Sequence, residues 1–254
     1  MYTLEQIYDR LTSQGNATKM TTFTEPASGP GSTLHTLDDI YDLAWPARVP
    51  KTGQTKCYTN TANSEVNCPA AGWPGQDGDH QKGVAWPNPR FTANVDNNGD
   101  GDCTDPGETC DGTVTDNLTG LIWLKDANCI MTQYPGFDAD GKVTWQQALQ
   151  FVAGIDAGTY PNCGAGQTDW RLPNVRELQS LIHHGVYGPA VPNTAGTGKW
   201  VEGDPFTGVQ LDFYWSSTSA FISSQAGLVN LNFGIGFSDT KESDYYVWPV
   251  RGGE

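Results

Sequence analysis

Six cysteines constrain this chain more than any other feature of its sequence. They are Cys57, Cys68, Cys103, Cys110, Cys129 and Cys163. The set is even, lies in stretches rich in Gly, Asn and Pro, and lacks the CxxC spacing of zinc sites. Because disulfides persist only in an oxidising compartment, the sequence predicts an extracytoplasmic protein, secreted or on the cell surface. The alternative is a cytosolic protein with six free thiols.

The composition narrows the classes of partner. The formal net charge is −15 and only 14 of the 254 residues are Lys or Arg, so long-range repulsion excludes nucleic acid as a ligand. No run of about 18 apolar residues occurs, which excludes direct membrane insertion. The opening MYTLEQIYDR lacks the basic and apolar regions of a secretory signal. We therefore expect a mature or trimmed form of an exported protein.

A near-repeat marks residues 1–50 as a separate segment. TLEQIYDRL at 3–11 returns as TLDDIYDLA at 36–44, and each copy has the start signal and apolar spacing of a short helix. Helices of this length are marginal alone, so we expect them to pack on something else. The segment is predicted to serve attachment or oligomerisation, which would make a homo-oligomer. The alternative is a simple N-terminal cap on the main domain.

Residues 51–112 form a turn-rich lead-in with an acidic loop, DNNGDGDCTDPGETC. Oxygen ligands at alternating positions followed by a Glu resemble the start of a calcium-binding EF-hand loop. The candidate ligands are Asp96, Asn98, Asp100, Asp102 and Glu108. Glu108 lies one place too late for that motif, and no helix precedes the loop. The sequence therefore predicts a structural Ca²⁺ site in a loop that a Cys103–Cys110 disulfide closes. The alternative is a solvated acidic turn.

Residues 113–254 show the order strand, helix, helix, strands. TVTDNLTGLIWL predicts two short strands, and VTWQQALQFVAGI predicts a helix capped by Thr144 and Gln147. A second helix is predicted from Asn174 to Gly185. The predicted buried positions of the two helices are Trp145, Ala148, Leu149, Val152, Val175, Leu178, Leu181 and Ile182. A Cys129–Cys163 bridge could close a loop around the first helix.

Several motifs of this region resemble the Lcl C-terminal domain family. They are DNLTGLIWLKDANC, VTWQQAL, DWRLPNVRELQSLI, YWSSTSA and YYVWPVRGG. The resemblance implies an α+β, C-type-lectin-like domain, in which two helices pack on small antiparallel sheets with long loops and the first and last strands pair. It also implies an extracellular binding domain with no catalytic activity and no organic cofactor. Some similar proteins are adhesins, and others are the variable proteins of diversity-generating retroelements, whose final strands and loops vary.

The last forty residues alternate large apolar and small polar side chains, which predicts a recognition surface. In VNLNF, period two places Val229, Leu231 and Phe233 inside and the two asparagines outside. The predicted ligand-binding residues are Phe221, Ile222, Ser223, Ser224, Gln225, Asn230, Asn232, Ile235, Phe237, Asp239, Thr240, Ser243, Asp244, Tyr245 and Trp248. This mixture of aromatic, Ser and Asn side chains is typical of a paratope. The alternative is an ordinary exposed β-face.

Trp248 stands where the family usually has a basic residue. An aromatic plate there suits stacking on a sugar or packing on a protein, although Trp248 could equally be a core residue. Only Lys241 and Arg251 are basic between residues 214 and 254, so we expect a protein or neutral-glycan ligand. Two alternatives stay open: a structural subunit of a surface assembly, and an oxidase of the formylglycine-generating type. The oxidase needs a reactive cysteine pair near the C-terminus, and the last cysteine here is Cys163.

Overall fold

The computed structural model describes residues 49–60, 65–94, 112–164 and 166–252. The predicted helices of residues 1–50 and the acidic loop therefore lie outside the described residues. The described part of the chain divides into two units. The smaller pairs residues 49–51 with 82–85, through hydrogen bonds from the Lys51 amide to the Val84 carbonyl (3.0 Å) and from the Val84 amide to the Val49 carbonyl (2.9 Å). The larger contains residues 52–81 and 86–252.

The larger unit is α+β, as predicted. Its strands are β1 (Cys57–Tyr58), β2 (Glu65–Val66), β3 (Phe91–Ala93), β4 (Thr113–Asp116), β5 (Ile122–Leu124), β6 (Phe213–Ser219), β7 (Gln225–Asn230), β8 (Ile235–Thr240) and β9 (Val250–Arg251). Its helices are α1 (Asp77–His80), α2 (Cys129–Gln133), α3 (Trp145–Asp156) and α4 (Val175–Ser180). The strands form antiparallel sheets in the orders β1-β2, β3-β4-β5-β9 and β6-β7-β8. Among the described residues, no helix is long and apolar enough to cross a membrane.

Helix α3 begins where the sequence predicts. The Thr144 hydroxyl accepts a hydrogen bond from the Gln147 amide, and the Gln147 side chain accepts one from the Thr144 amide at 2.9 Å. This reciprocal cap satisfies two backbone donors that the first helical turn leaves unpaired. The helix buries Ala148, Phe151, Val152 and Ile155, whereas the predicted core residues Trp145 and Leu149 are only partly buried.

Helix α4 begins as predicted but ends earlier. Asn174 and Glu177 form a second reciprocal cap, in which the Asn174 side chain accepts from the Glu177 amide at 3.0 Å. The last helical residue is Ser180, so the predicted end at Gly185 is wrong. The reason is tertiary, because the amide of His183 donates to the carbonyl of Ala190 at 2.7 Å instead of continuing the helix. Leu178, Leu181 and Ile182 are buried as predicted, whereas Val175 is only partly buried.

A buried ion pair joins the segment before the acidic loop to the segment after it. The Arg90 guanidinium donates to both carboxylate oxygens of Asp116, at 2.8 and 2.7 Å, and to the Ser180 carbonyl at 3.0 Å. Arg90 and Asp116 are fully buried, and β3 beside Arg90 pairs with β4, which ends at Asp116. Removing one partner would leave an uncompensated charge in the interior. Residues 86–94 are therefore part of the same folded core as residues 113–252.

Strand β9 brings the end of the chain back to its middle. Val250 pairs with Trp123 in β5, and the Arg171 amide and the Val250 carbonyl hydrogen bond at 2.9 Å. The Arg171 side chain contacts both Glu177 oxygens at 2.7 Å and donates to the Gly252 carbonyl at 2.8 Å. This places the α4 cap, the WRLP segment and the last strand in one hydrogen-bonded cluster.

Candidate functional site

The three-stranded sheet near the C-terminus has one covered edge and one open edge. On the covered edge, the Trp215 amide of β6 donates to the Tyr246 carbonyl at 2.9 Å, and the Tyr246 amide donates to the Phe213 carbonyl at 3.1 Å. On the other side, β8 pairs only with β7 among the described residues. Every residue of β8 is exposed or half-buried. Strand β8 is thus an edge strand with its backbone groups open on one side.

One side of this sheet carries a row of aromatic contacts. Trp215 and Leu228 are opposite each other in the register and fully buried, and Phe237 is opposite Leu228 on the edge strand. The Phe237 ring meets the half-buried Phe213 ring edge-on, with centroids 5.6 Å apart, and Phe213 meets Tyr245 at 5.4 Å. Phe237 therefore packs on Phe213 on one side while 55% of it stays exposed.

We call this surface the aromatic face and define it by Phe213, Ile235, Phe237, Asp239 and Tyr245. Ile235, Phe237 and Asp239 alternate along β8 and so lie on the same side of the sheet. Ile235 is 45% exposed. Phe213 was not predicted as a site residue, although its spacing of two from the core residue Trp215 in β6 was a usable signal.

The polar end of the aromatic face is a hydrogen-bonded pair. The Tyr245 hydroxyl donates to an Asp239 carboxylate oxygen at 2.6 Å, and the Ser243 hydroxyl donates to the same oxygen at 3.2 Å. Hydrogen bonds from the Tyr245 side chain and the Thr240 amide lower the pKa of Asp239. Burial, followed by the bond to Asp239, raises the pKa of Tyr245 to about 12. At neutral pH the face therefore carries one anionic acceptor that two hydroxyls already orient.

The β6–β7 loop displays a second apolar pair, Phe221 and Ile222. Phe221 is fully exposed and Ile222 more than half exposed. The Lys241 ammonium donates to the Ser223 carbonyl at 2.9 Å and lies 4.4 Å from the centre of the Trp145 ring. This lysine ties the loop to the turn after β8. The loop therefore holds exposed apolar side chains on a backbone with a fixed anchor.

The β7–β8 turn corrects the predicted alternation. Strand β7 ends at Asn230, so the predicted strand VNLNF does not continue to Phe233. The Asn230 side chain accepts hydrogen bonds from the amides of Asn232 (2.9 Å) and Phe233 (3.1 Å), which holds the turn. Asn230, predicted to face a ligand, is buried, and Phe233, predicted inside, is exposed. The Phe233 error arises because period two holds only while the chain stays extended. The Asn230 error arises because β7 is buried on both faces, from Ala226 to Asn230.

Trp248 is a core residue, so its assignment to the binding surface is wrong. Its indole N–H donates to the Leu124 carbonyl at 2.8 Å, and its ring packs on Phe206 and Trp123 with centroids 4.8 and 5.6 Å away. It has no exposed surface. A buried apolar environment that also satisfies the indole donor explains why a tryptophan stands there.

The remaining predicted ligand-binding residues lie at the surface. Those that are exposed are Ser223, Ser224, Thr240 and Asp244, and those that are half-buried are Gln225, Asn232 and Ser243. The Gln225 side chain accepts a hydrogen bond from the Ser238 hydroxyl at 3.1 Å across the β7–β8 pair. The structure thus connects Phe237, Asp239 and Tyr245 through ring contacts and a hydrogen bond. The β6–β7 loop lies at the start of β7, which pairs with the Asp239–Thr240 end of β8.

The calcium ligands proposed between residues 96 and 108, with Cys103 and Cys110, lie outside the described residues. Within the part that the structure describes, no group of His, Cys, Asp and Glu could hold a metal ion. The predicted Cys129–Cys163 disulfide is present, and Cys57 pairs with Cys68.

The fold and the site define a class of protein: a disulfide-linked α+β domain that ends in a sheet with an exposed aromatic face. The chain belongs to the Lcl C-terminal domain family, whose model matches residues 112–251. No curated protein matches the chain. Membership of this family indicates a surface or extracellular protein-binding role. The two disulfides and the family are both consistent with an extracytoplasmic location.

Proposed function

We propose that this chain is an extracytoplasmic binding protein that uses the aromatic face to hold a protein ligand. The observation that carries the proposal is the exposure of Phe237 and Ile235 beside each other on an open edge strand. Exposed large apolar residues grouped on one surface mark interaction sites more often than chance placement does. Aromatic anchors beside a satisfied polar group are the composition of binding hot spots.

The choice of a protein ligand follows from the edge strand and the charge. An open β8 edge can accept a strand of a partner through backbone hydrogen bonds, while Ile235 and Phe237 fill its side-chain pockets. Asp239 on the face and Glu242 and Asp244 after it favour a neutral or basic partner surface over an acidic one. The sequence predicts either a protein or a neutral glycan as the ligand, and these features favour a protein at the aromatic face.

The finer fold and the variability of the surface are also part of the proposal. We assign the domain to the C-type-lectin-like fold, which is supported by the return of β9 to β5 and by the two capped helices. Its last strand pairs with the second strand of the matched region and not with the first.

We further propose that the exposed loop and β8 positions are those that vary in a diversity-generating retroelement. A template repeat of residues 219–247 near the gene would support this, and invariant copies would contradict it.

The test replaces Ile235 with a photoreactive amino acid and presents the protein to intact bacterial cells. The matched control carries the same group at Val201, which is also β-branched and is 58% exposed outside the aromatic face. We expect crosslinked adducts from position 235 only, and we expect proteinase K treatment of the cells to abolish them. Equal adducts at both positions would contradict the proposal.

Two other outcomes identify the alternatives. Adducts that survive proteinase K but disappear after periodate oxidation would mean that the ligand is a glycan. Adducts between two copies of this chain would mean a structural subunit of an assembly, the alternative predicted from residues 1–50. We propose no catalytic role, and a count of free thiols under denaturing conditions that returned a pair would reopen the oxidase.

A further inference from the structure

A concave site lies in the lead-in, outside the region that the family model matches. This lead-in pocket has a volume of about 270 Å³. Its lining residues are Tyr58, Thr59, Asn60, Trp73, Pro74 and Gln76, all of them uncharged. The sequence alone gives no signal of this pocket, because its aromatic residues stand fifteen positions apart in a stretch dominated by turn residues.

Gln76 holds the two aromatic segments of the pocket together. Its side-chain amide donates to the carbonyls of Tyr58 (2.8 Å) and Trp73 (3.0 Å), and its oxygen accepts from the Tyr58 amide at 2.8 Å. Beside Tyr58, the buried Cys57 is linked to Cys68. These ties fix the backbones from which both rings project, so the pocket is largely pre-formed, as ligand sites usually are.

The rings in this pocket are exposed although large aromatic residues are usually highly buried. Trp73 is 47% exposed and Tyr58 is 37% exposed. The Tyr58 hydroxyl donates a hydrogen bond to the Glu65 carboxylate at 3.4 Å. The part of Tyr58 available to a ligand is therefore the face of its ring. The Asn60 side chain is exposed, and within the described residues it makes no hydrogen bond. The pocket thus combines apolar ring faces with an exposed amide.

We propose that the lead-in pocket binds one pyranose unit of a neutral saccharide. Trp73 and Tyr58 would contact the apolar C–H face of the sugar, because aromatic faces carry negative charge and attract weakly positive hydrogens. The Asn60 amide would both donate to and accept from sugar hydroxyls. The uncharged lining suits a neutral sugar, and the net charge of −15 disfavours an anionic saccharide.

The size and shape of the pocket favour a sugar over a proline-rich peptide, the other ligand that aromatic pockets commonly take. Such a peptide lies along an aromatic groove in an extended helix of several residues. The pocket is instead confined to six residues, and its volume lies just below the range of about 300–1,000 Å³ of drug-sized sites. A single ring fits this volume better than an extended peptide.

The experiment titrates the full chain with neutral oligosaccharides of glucose, galactose, mannose and N-acetylglucosamine, followed by calorimetry. Where a saccharide binds, we expect Trp73→Ala to weaken binding about 2- to 10-fold, because a ring contact contributes about 0.5–1.5 kcal/mol. Trp73→Phe keeps an aromatic ring and should weaken saccharide binding less than Trp73→Ala does. It also tests the role of the ring in a variant that stays folded if Trp73→Ala does not. Phe237→Ala on the aromatic face is the matched control and should bind as the unmodified chain does.

Several results would overturn the proposal. They are the absence of binding for every saccharide up to about 10 mM, unchanged binding by Trp73→Ala, and binding of a proline-rich peptide in place of the sugars. Failure here is separable from failure of the proposed function. Photo-crosslinking at position 235 tests the aromatic face alone, and Trp73→Ala should leave it unaffected.

Discussion

The substitutions Phe237→Ala and Trp248→Ala separate a binding surface from a core. Phe237 is 55% exposed, so slightly less than half of an aromatic side chain of about 200 Å² is buried, or about 90 Å². At about 25 cal/mol/Å², that area corresponds to about 2 kcal/mol, which is an upper value because unfolded chains already bury some surface. We therefore expect Phe237→Ala to lower the free energy of unfolding by about 1–2 kcal/mol.

Trp248→Ala should cost far more. The side chain has no exposed surface, and its indole N–H bond to the Leu124 carbonyl would be lost. Alanine replacements of buried aromatics typically cost about 3–5 kcal/mol. We expect about 4 kcal/mol, and we expect any lost binding to follow the lost folded fraction.

The assay is urea unfolding followed by circular dichroism, combined with the photo-crosslinking experiment on the same variants. Phe237→Ala should lose crosslinking at position 235 while staying folded, because its contribution is made mainly to the ligand. A loss of stability in Phe237→Ala as large as that in Trp248→Ala would contradict the placement of Phe237 on a binding surface. Intact crosslinking in Phe237→Ala would contradict it as well.

Three further predictions concern the disulfide, the polar pair and the calcium loop. Replacing Cys129 and Cys163 with Ala should lower the free energy of unfolding by about 4 kcal/mol, from the chain entropy of a loop with a sequence separation of 34, and a loss below about 1 kcal/mol in urea titrations would contradict this. In Tyr245→Phe, the pKa of Asp239 should rise towards its ordinary value, because the Tyr245 hydrogen bond is the main cause of its lowering; a carboxyl titration by NMR measures it. For the intact pair, the contribution of Asp239 to stability is present above its unfolded pKa and is lost as pH falls through its lowered folded pKa. The raised pKa of Tyr245 contributes to stability fully below about pH 10. This contribution is lost as pH rises towards about 12, so the free energy of unfolding should fall over that pH range. If residues 96–108 bind Ca²⁺, chelation should lower Tm by about 5–10 °C from conditions with Ca²⁺ at about 100-fold its Kd, and an unchanged Tm would reject the site.

Features that depend on neighbouring residues were predictable from the sequence. The caps at Thr144 and Asn174 follow from side chains that reach amides two or three residues ahead, so local spacing was enough. The Cys129–Cys163 pair was predictable because it flanks a helix whose ends were already placed. The exposure of Phe237 was also predicted, from the mixture of aromatic and small polar residues in the last strands, and it is 55% exposed.

The errors fall where distant segments meet. The burial of Trp248 depends on Leu124 and Phe206, which lie far away in the chain and supply its hydrogen-bond acceptor and its ring contact. The burial of Asn230 depends on what covers both faces of the central strand β7, whose residues from Ala226 to Asn230 are all buried. Periodicity cannot report either event, because it describes one strand and not what packs against it.

By itself, the sequence determined the mixture of helices and strands, the helix starts and the apolar and polar residue types at the C-terminus. Each of these follows from composition or from spacing over a few residues. Only the tertiary structure decided which of the C-terminal side chains are open to a ligand, and it alone placed Tyr58 beside Trp73. Exposure is a property of the whole packed chain, since a side chain is buried only when residues from elsewhere in the chain cover it.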